Sequence, residues 1–196
     1  MGNNTKANRY YEAGNAHYRT AQDMVSQKRY QEAVDHFIRA AEQYESAVKH
    51  RSMFPEAYHN WANVITRLIP LTGTAELSQQ AQEKYLTSGL QFIINGTPQE
   101  RPFEEALKII PESDRYGTVF RLYLTAVKYV KGAQPEADDI AFLSQTRKIL
   151  ESPKILTDLI DTLQGKRTDK FPVKDGDDLI ASATKILINA LIDADR

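Results

Sequence analysis

The sequence predicts an all-α protein built from repeated helical hairpins. Apolar residues recur at three- and four-residue spacings along most of the 196 residues, which is the period of an amphipathic helix. We find no alternation of apolar and polar residues of the kind that forms half-buried strands. Residues 10–15 also match residues 58–63 at an offset of 48, and the same offset places Arg19 on Arg67. The chain is therefore expected to contain a duplicated helical unit.

Four helices are expected in the first half of the chain. Residues 8–50 carry two apolar stripes that together are too long for one ordinary helix, so a break is predicted near 26–29. Pro55 suits the first turn of a third helix, because a proline there loses no hydrogen bond. Residues 70–74 combine a helix breaker with turn formers. They predict a second break before the apolar run that begins at Leu77.

The second half is expected to be helical as well. An Asn-Gly-Thr-Pro turn at 95–98 ends the first half, and a charged loop is predicted at 164–175, with an interruption at Ser152 and Pro153. The acidic residues 175–178 are interpreted as caps of a helix start, because their glycine comes too early for a calcium loop. The predicted helical segments are 103–110, 116–130, 138–163 and 177–193.

Composition and motifs argue against most kinds of chemistry. With 25 basic and 26 acidic residues, the chain lacks the basic excess of a general nucleic-acid binder. The absence of cysteine excludes disulfides, thiol catalysis and thiolate metal sites. No phosphate-binding loop, Gly-x-Ser-x-Gly or His-Glu-x-x-His motif is present. We therefore expect a protein that is not an enzyme and that needs no cofactor or metal.

The four histidines are at 17, 36, 50 and 59, and they lack the short spacings of a metal pair on one helix. His17 and His59 could line a groove, although surface or packing positions are commoner for histidine. No signal-like segment and no stretch of about 18 uncharged apolar residues occurs. A soluble, cytoplasmic protein without a transmembrane segment is therefore expected.

Two segments resemble the tetratricopeptide repeat (TPR), a helix-turn-helix unit of about 34 residues. Residues 55–63 are similar to its first helix, with Trp61 at a large position and Ala62 at the small one. Residues 30–40 are similar to its second helix, with Phe37 at the large position. The small positions of that helix are Ala33 and Ala40, and the offset copies of these three residues are Ala81, Tyr85 and Ser88.

The resemblance implies antiparallel helical hairpins stacked as a short TPR-like solenoid. It covers two elongated hairpins at residues 8–96, which follow a flexible tail at 1–7 and precede a C-terminal helical extension at 97–196. Both hairpins are about seven residues longer than the family's pattern. A helical bundle with coincidental alanine spacing is the alternative.

Such repeats imply a non-enzymatic adaptor or complex subunit that binds another protein or a peptide on the face of its first helices. One subgroup grips a terminal carboxylate with asparagines and lysines, and Asn15 and Asn60 match two of its asparagine positions, whereas Tyr11 stands where a lysine is needed. The expected partner contacts are Tyr11, Asn15, Tyr18, Asn60, Asn63 and Arg67. Replacing Asn15 and Asn63 by alanine is predicted to weaken binding and to leave the melting temperature nearly unchanged.

Two other classes of function remain open. The last helix has a wide apolar face, including Leu187 and Leu191, that could cap the repeats or pack against a second copy of the chain, as in a self-assembling structural protein. A small-molecule-binding helical domain is the other class. Residues 116–131 interleave aromatic and basic side chains, but their apolar neighbours favour burial over nucleic-acid binding.

Overall fold

The computed structural model describes residues 2–110, 115–134, 136–149 and 154–194. Within these residues the chain is all-α, with nine helices and no strand, as the apolar periodicity predicts. Its contacts divide it into two compact units, Met1–Ser88 and Gly89–Arg196. The division falls inside a helix, whereas the sequence analysis placed the boundary at residue 96.

Unit 1 is formed by α1 (Asn3–Ser26), α2 (Tyr30–His50), α3 (Pro55–Thr72) and the first part of α4 (Glu76–Ile94). Helix α1 packs along α2, and α2 packs on α3. The predicted break at 26–29 is confirmed, and Lys28 makes this turn with a positive φ of 62°. Pro55 occupies the first turn of α3, as predicted.

Two boundaries of unit 1 differ from the prediction. Helix α1 begins at Asn3, inside the tail predicted for residues 1–7, because the fully buried Ala7 packs with Ala47, Val48 and Phe54. Pro70 lies inside the last turn of α3, where few helical residues remain for it to disrupt. The helix ends instead at Gly73, whose positive φ of 69° suits glycine.

The centre of unit 1 is the side of α2 that faces α1 and α3. Tyr44 and Phe37 are almost completely buried there. Gly14 of α1 allows the Tyr44 ring to come close, since a Cβ atom at Gly14 would lie 2.7 Å from Tyr44 Cε1. Small residues in α2, Ala33 and Ala40, are also fully buried, in agreement with their predicted small positions.

Unit 2 contains the rest of α4 and five further described helices: α5 (Arg101–Leu107), α6 (Arg115–Val130), α7 (Ala137–Ile149), α8 (Lys154–Leu163) and α9 (Leu179–Ala194). The predicted interruption at Ser152 and Pro153 lies outside the described residues. The predicted acidic cap is confirmed, because the Asp178 carboxylate accepts a 2.7 Å hydrogen bond from the Ala181 backbone N–H.

The apolar face of α9 is covered largely within its own unit, by α6 and α8. Leu187 and Leu191 are buried, and a 2.7 Å hydrogen bond joins the buried hydroxyls of Tyr123 and Thr184. Self-association through α9 stays a prediction. Phe120 and Tyr123 of α6 are buried too, so their rings are not available to stack on bases. None of the described helices has the length and hydropathy needed to cross a membrane.

Candidate functional site

Three of the six expected partner contacts meet in one hydrogen-bond network within unit 1. Asn15 Oδ1 accepts bonds from the Tyr44 hydroxyl, at 2.7 Å, and from Asn60 Nδ2, at 3.0 Å. Asn60 Nδ2 also donates to the Tyr11 hydroxyl at 3.1 Å. Because Tyr44 is in α2, the network joins α1, α2 and α3.

The surroundings of this network give it a structural role. Tyr44 is fully buried, while Tyr11, Asn15 and Asn60 are half-buried. Burial raises the pKa of Tyr44 and that of Tyr11, so both hydroxyls stay protonated at neutral pH. A polar group left unpaired in such a place costs about 1–3 kcal/mol. The network therefore stabilises the packing of three helices, and contact of its members with a partner stays a prediction.

The other three expected contacts lie apart from this network. Asn63 Oδ1 accepts a 2.8 Å bond from the Tyr85 hydroxyl, and the Tyr18 ring lies against Phe37, with 5.8 Å between the ring centroids. Arg67 is the one exposed residue among the six, so it is the most accessible to a partner.

A cleft of about 450 Å³ lies elsewhere on unit 1, between the beginning of α1 and the end of α2. The Tyr10 ring stacks on the His50 imidazole at the cleft, with centroids 5.4 Å apart and planes only 3° from parallel. These two half-buried rings provide a flat wall. The lining residues are Thr5, Lys6, Arg9, Tyr10, Ala13, Gln43 and His50.

The charge of the cleft is of one sign. Lys6 and Arg9 are exposed cations, and the His50 imidazole lies beside them. No carboxylate lines the cleft, and within the described part of the chain none of these three side chains forms an ion pair. The remaining polar groups of the lining, on Thr5, Tyr10 and Gln43, can all donate hydrogen bonds. Such a set suits an anionic ligand group.

This cleft was not predicted from the sequence, because Lys6 falls in the segment expected to be a flexible tail. Lys6 and Arg9 are three residues apart and lie on one face of a helix only if α1 begins before residue 6. His50, the last residue of α2, lies beside them at the open end of the hairpin. The sequence feature that could have indicated the cleft was the three-residue spacing of the basic residues Lys6 and Arg9.

A second polar cluster, the histidine pair, joins α1 and α2. His17 Nδ1 and His36 Nδ1 are 3.2 Å apart, and the ring centroids are 5.3 Å apart. From the sequence we considered metal pairs on one helix only. His17 lies eleven residues before Lys28 and His36 eight residues after it, so pairing of the two helices across this turn could have placed them near each other. Among the described residues, no group of three or more histidine and acidic side chains is placed to hold a metal.

Comparisons of the chain with protein-family models, with curated proteins and with solved structures gave no match. The resemblance to tetratricopeptide repeats therefore depends on the sequence pattern alone. The functional interpretation depends on the geometry of the chain itself.

Proposed function

We propose that the chain is a non-enzymatic protein-interaction module whose first hairpin binds an acidic segment of a partner protein in the α1–α2 cleft. The observation that carries this proposal is the lining of the cleft, in which Lys6, Arg9 and His50 face it without any carboxylate. Unpaired cations of one sign on a concave surface attract an anionic group and align it.

The chemistry of the lining favours side-chain carboxylates on a peptide. Arg9 can bind a carboxylate through two parallel hydrogen bonds, and Lys6 can bind a second one as a point charge. The stacked rings of Tyr10 and His50 offer apolar area to the carbon atoms between such groups. A cleft of about 450 Å³ has room for a few side chains only. A short acidic segment with modest affinity therefore fits best.

Charge-reversal variants test this proposal. We would measure the fluorescence anisotropy of acidic, neutral and basic peptides of equal length, titrated with the intact chain and with Lys6→Glu/Arg9→Glu. The intact chain should prefer the acidic peptide, and its affinity should fall with added salt. The double variant should lose about tenfold or more in affinity, because it replaces attraction by repulsion.

Matched controls separate the cleft from general charge effects. Lys154→Glu/Lys166→Glu changes the net charge equally at two exposed residues of unit 2 and should leave the affinity within about twofold. Arg67→Glu tests the face predicted from the sequence. Loss of binding in Arg67→Glu, with binding retained in Lys6→Glu/Arg9→Glu, would move the site to α3. Equal binding of all three peptides would contradict the proposal.

A further inference from the structure

The histidine pair has a geometry that suits a metal ion. His17 and His36 are both half-buried, so one edge of the pair is accessible to solvent. Zinc binds imidazole nitrogen at about 2.0–2.1 Å with tetrahedral angles, which places two ligand nitrogens about 3.3 Å apart. The two Nδ1 atoms are 3.2 Å apart.

We propose that His17 and His36 bind one divalent transition-metal ion through their Nδ1 nitrogens, with water completing the coordination. Imidazole ligands favour Zn²⁺, Cu²⁺ and Ni²⁺, whereas Ca²⁺ and Mg²⁺ prefer oxygen ligands. Two protein ligands make a weaker site than the four of a structural zinc site, and the open positions remain available to a further ligand. This site is separate from the acidic-peptide cleft, whose lining includes neither histidine.

The charges around the pair are compatible with metal binding. Burial lowers the pKa of His17, and the nearby His36 and Arg39 lower it further, so the neutral form that ligates a metal is favoured. Glu32 of α2 lies within electrostatic range of His36. The Glu32 carboxylate accepts a 2.7 Å bond from Arg29 Nε, so we do not count it as a ligand.

Metal binding would replace a proton that the two rings share. In the metal-free pair, one Nδ1–H donates to the other Nδ1. The ion displaces that hydrogen: the Nδ1 proton passes to solvent while Nε2 of the same ring takes a proton up, so both rings ligate as neutral Nε2–H tautomers with no net loss of protons. The metal then bridges α1 and α2 directly, and it stabilises the hairpin by an amount that grows with the logarithm of its free concentration above Kd.

Isothermal titration of the metal-free chain with ZnCl₂ at pH 7.5 tests the site. The intact chain should bind one equivalent, because the offset copies of His17 and His36 are Ile65 and Lys84 and cannot form a second pair. His17→Gln and His36→Gln should each abolish saturable binding. His50→Gln removes one histidine from another place and should leave binding unchanged. Lowering the pH should weaken binding, because protons compete with the metal for the ligand nitrogens.

Imidazole ¹⁵N spectra of the intact chain provide a readout that does not depend on a variant folding. On addition of Zn²⁺, the Nδ1 signals of His17 and His36 should shift together, and those of His50 should stay. No saturable binding by the intact chain, unchanged binding in either site variant, or a shift of only one of the two Nδ1 signals would overturn the proposal. MgCl₂ in place of ZnCl₂ should produce no shift.

Discussion

At an offset of 48 residues, Asn15 of the first hairpin corresponds to Asn63 of the second. Each asparagine accepts a hydrogen bond from a tyrosine of the following helix, Tyr44 at 2.7 Å and Tyr85 at 2.8 Å. The two tyrosines are not copies of each other, because Tyr85 corresponds to Phe37. Both hairpins therefore satisfy the same amide with residues from different positions, which indicates that the duplicated asparagine serves packing.

The charged residues of the cleft, in contrast, have no charged counterparts in the second hairpin. The offset copies of Lys6 and Arg9 are Phe54 and Ala57, both of which are buried. The histidine pair is not duplicated either. The shared asparagine thus supports packing in both hairpins. Lys6, Arg9 and the histidine pair occur only in the first hairpin, which makes them better candidates for binding.

Replacing each of the two asparagines by alanine should produce the largest changes in unfolding free energy, and the change should be larger in the first hairpin. Asn15→Ala leaves the Tyr44 hydroxyl without its acceptor and removes one of the two acceptors of Asn60 Nδ2, the other being the Tyr11 hydroxyl. It should cost about 2–3 kcal/mol of unfolding free energy, measured by urea denaturation. Asn63→Ala removes the 2.8 Å acceptor of the Tyr85 hydroxyl, which also lies 3.4 Å from Thr66 Oγ1, and should cost about 1 kcal/mol. A negligible cost for both would support the expectation from sequence that these residues serve a partner.

The next largest effect is expected when Gly14 is replaced by alanine. Whether this change stabilises or destabilises the chain distinguishes packing from helix propensity. Gly14→Ala would place a Cβ atom 2.7 Å from Tyr44 Cε1 and should destabilise the chain by about 1–3 kcal/mol. Helix propensity alone predicts the opposite, a gain of about 1 kcal/mol. Gly176→Ala is the control, since a Cβ atom there meets nothing within 4 Å. Melting curves that show a gain for Gly14→Ala would mean that Tyr44 moves away easily.

Tyr85→Phe gives the second hairpin the residue that the first hairpin carries at the corresponding position, Phe37. It removes the hydroxyl that donates to Asn63 and should cost about 1 kcal/mol in urea denaturation. Tyr30→Phe removes a hydroxyl from a tyrosine that is 50% exposed and should change the unfolding free energy by less than about 0.5 kcal/mol. Equal effects of the two changes would argue against a specific role for the Asn63 bond.

The smallest expected effect is on the pH dependence of stability. It concerns His17, whose counterpart in the second hairpin, Ile65, has no ionisable group. The folded pKa of His17 is lowered, so the unfolded chain binds more protons as the pH falls below about 6.5, and stability falls with it. His17→Gln should therefore reduce the loss of stability between pH 7.5 and 5, measured with a chelator present. An unchanged pH dependence would show that His17 titrates alike in both states.

The helices were predictable because their apolar period is long and regular, and the breaks at 26–29 and before Pro55 were found from it. Helix ends were less predictable. Residues 3–7 are polar enough to resemble a tail, and only the packing of Ala7 shows that they are helical. Pro70 resembled a break because sequence does not show how near it lies to the end of α3.

The candidate site was less predictable than the fold, since its groups come from two helices. A sequence shows that Asn15 and Asn60 are polar, but their partners, Tyr44 and Tyr11, become visible only when the hairpins are packed. The cleft depends on the register between the start of α1 and the end of α2. That register is fixed by the packing of Gly14 against Tyr44 and by other contacts far apart in sequence.

Chemical-shift mapping would test most directly whether the first hairpin carries the binding function. Amide ¹H–¹⁵N spectra of the intact chain, recorded during titration with an acidic peptide, should show the largest shifts at residues 5–13 and 43–50, with little change along α3. The shifts should decrease as salt is added. Shifts centred on Asn63 and Arg67, or no shifts even with the acidic peptide in large excess, would contradict the account.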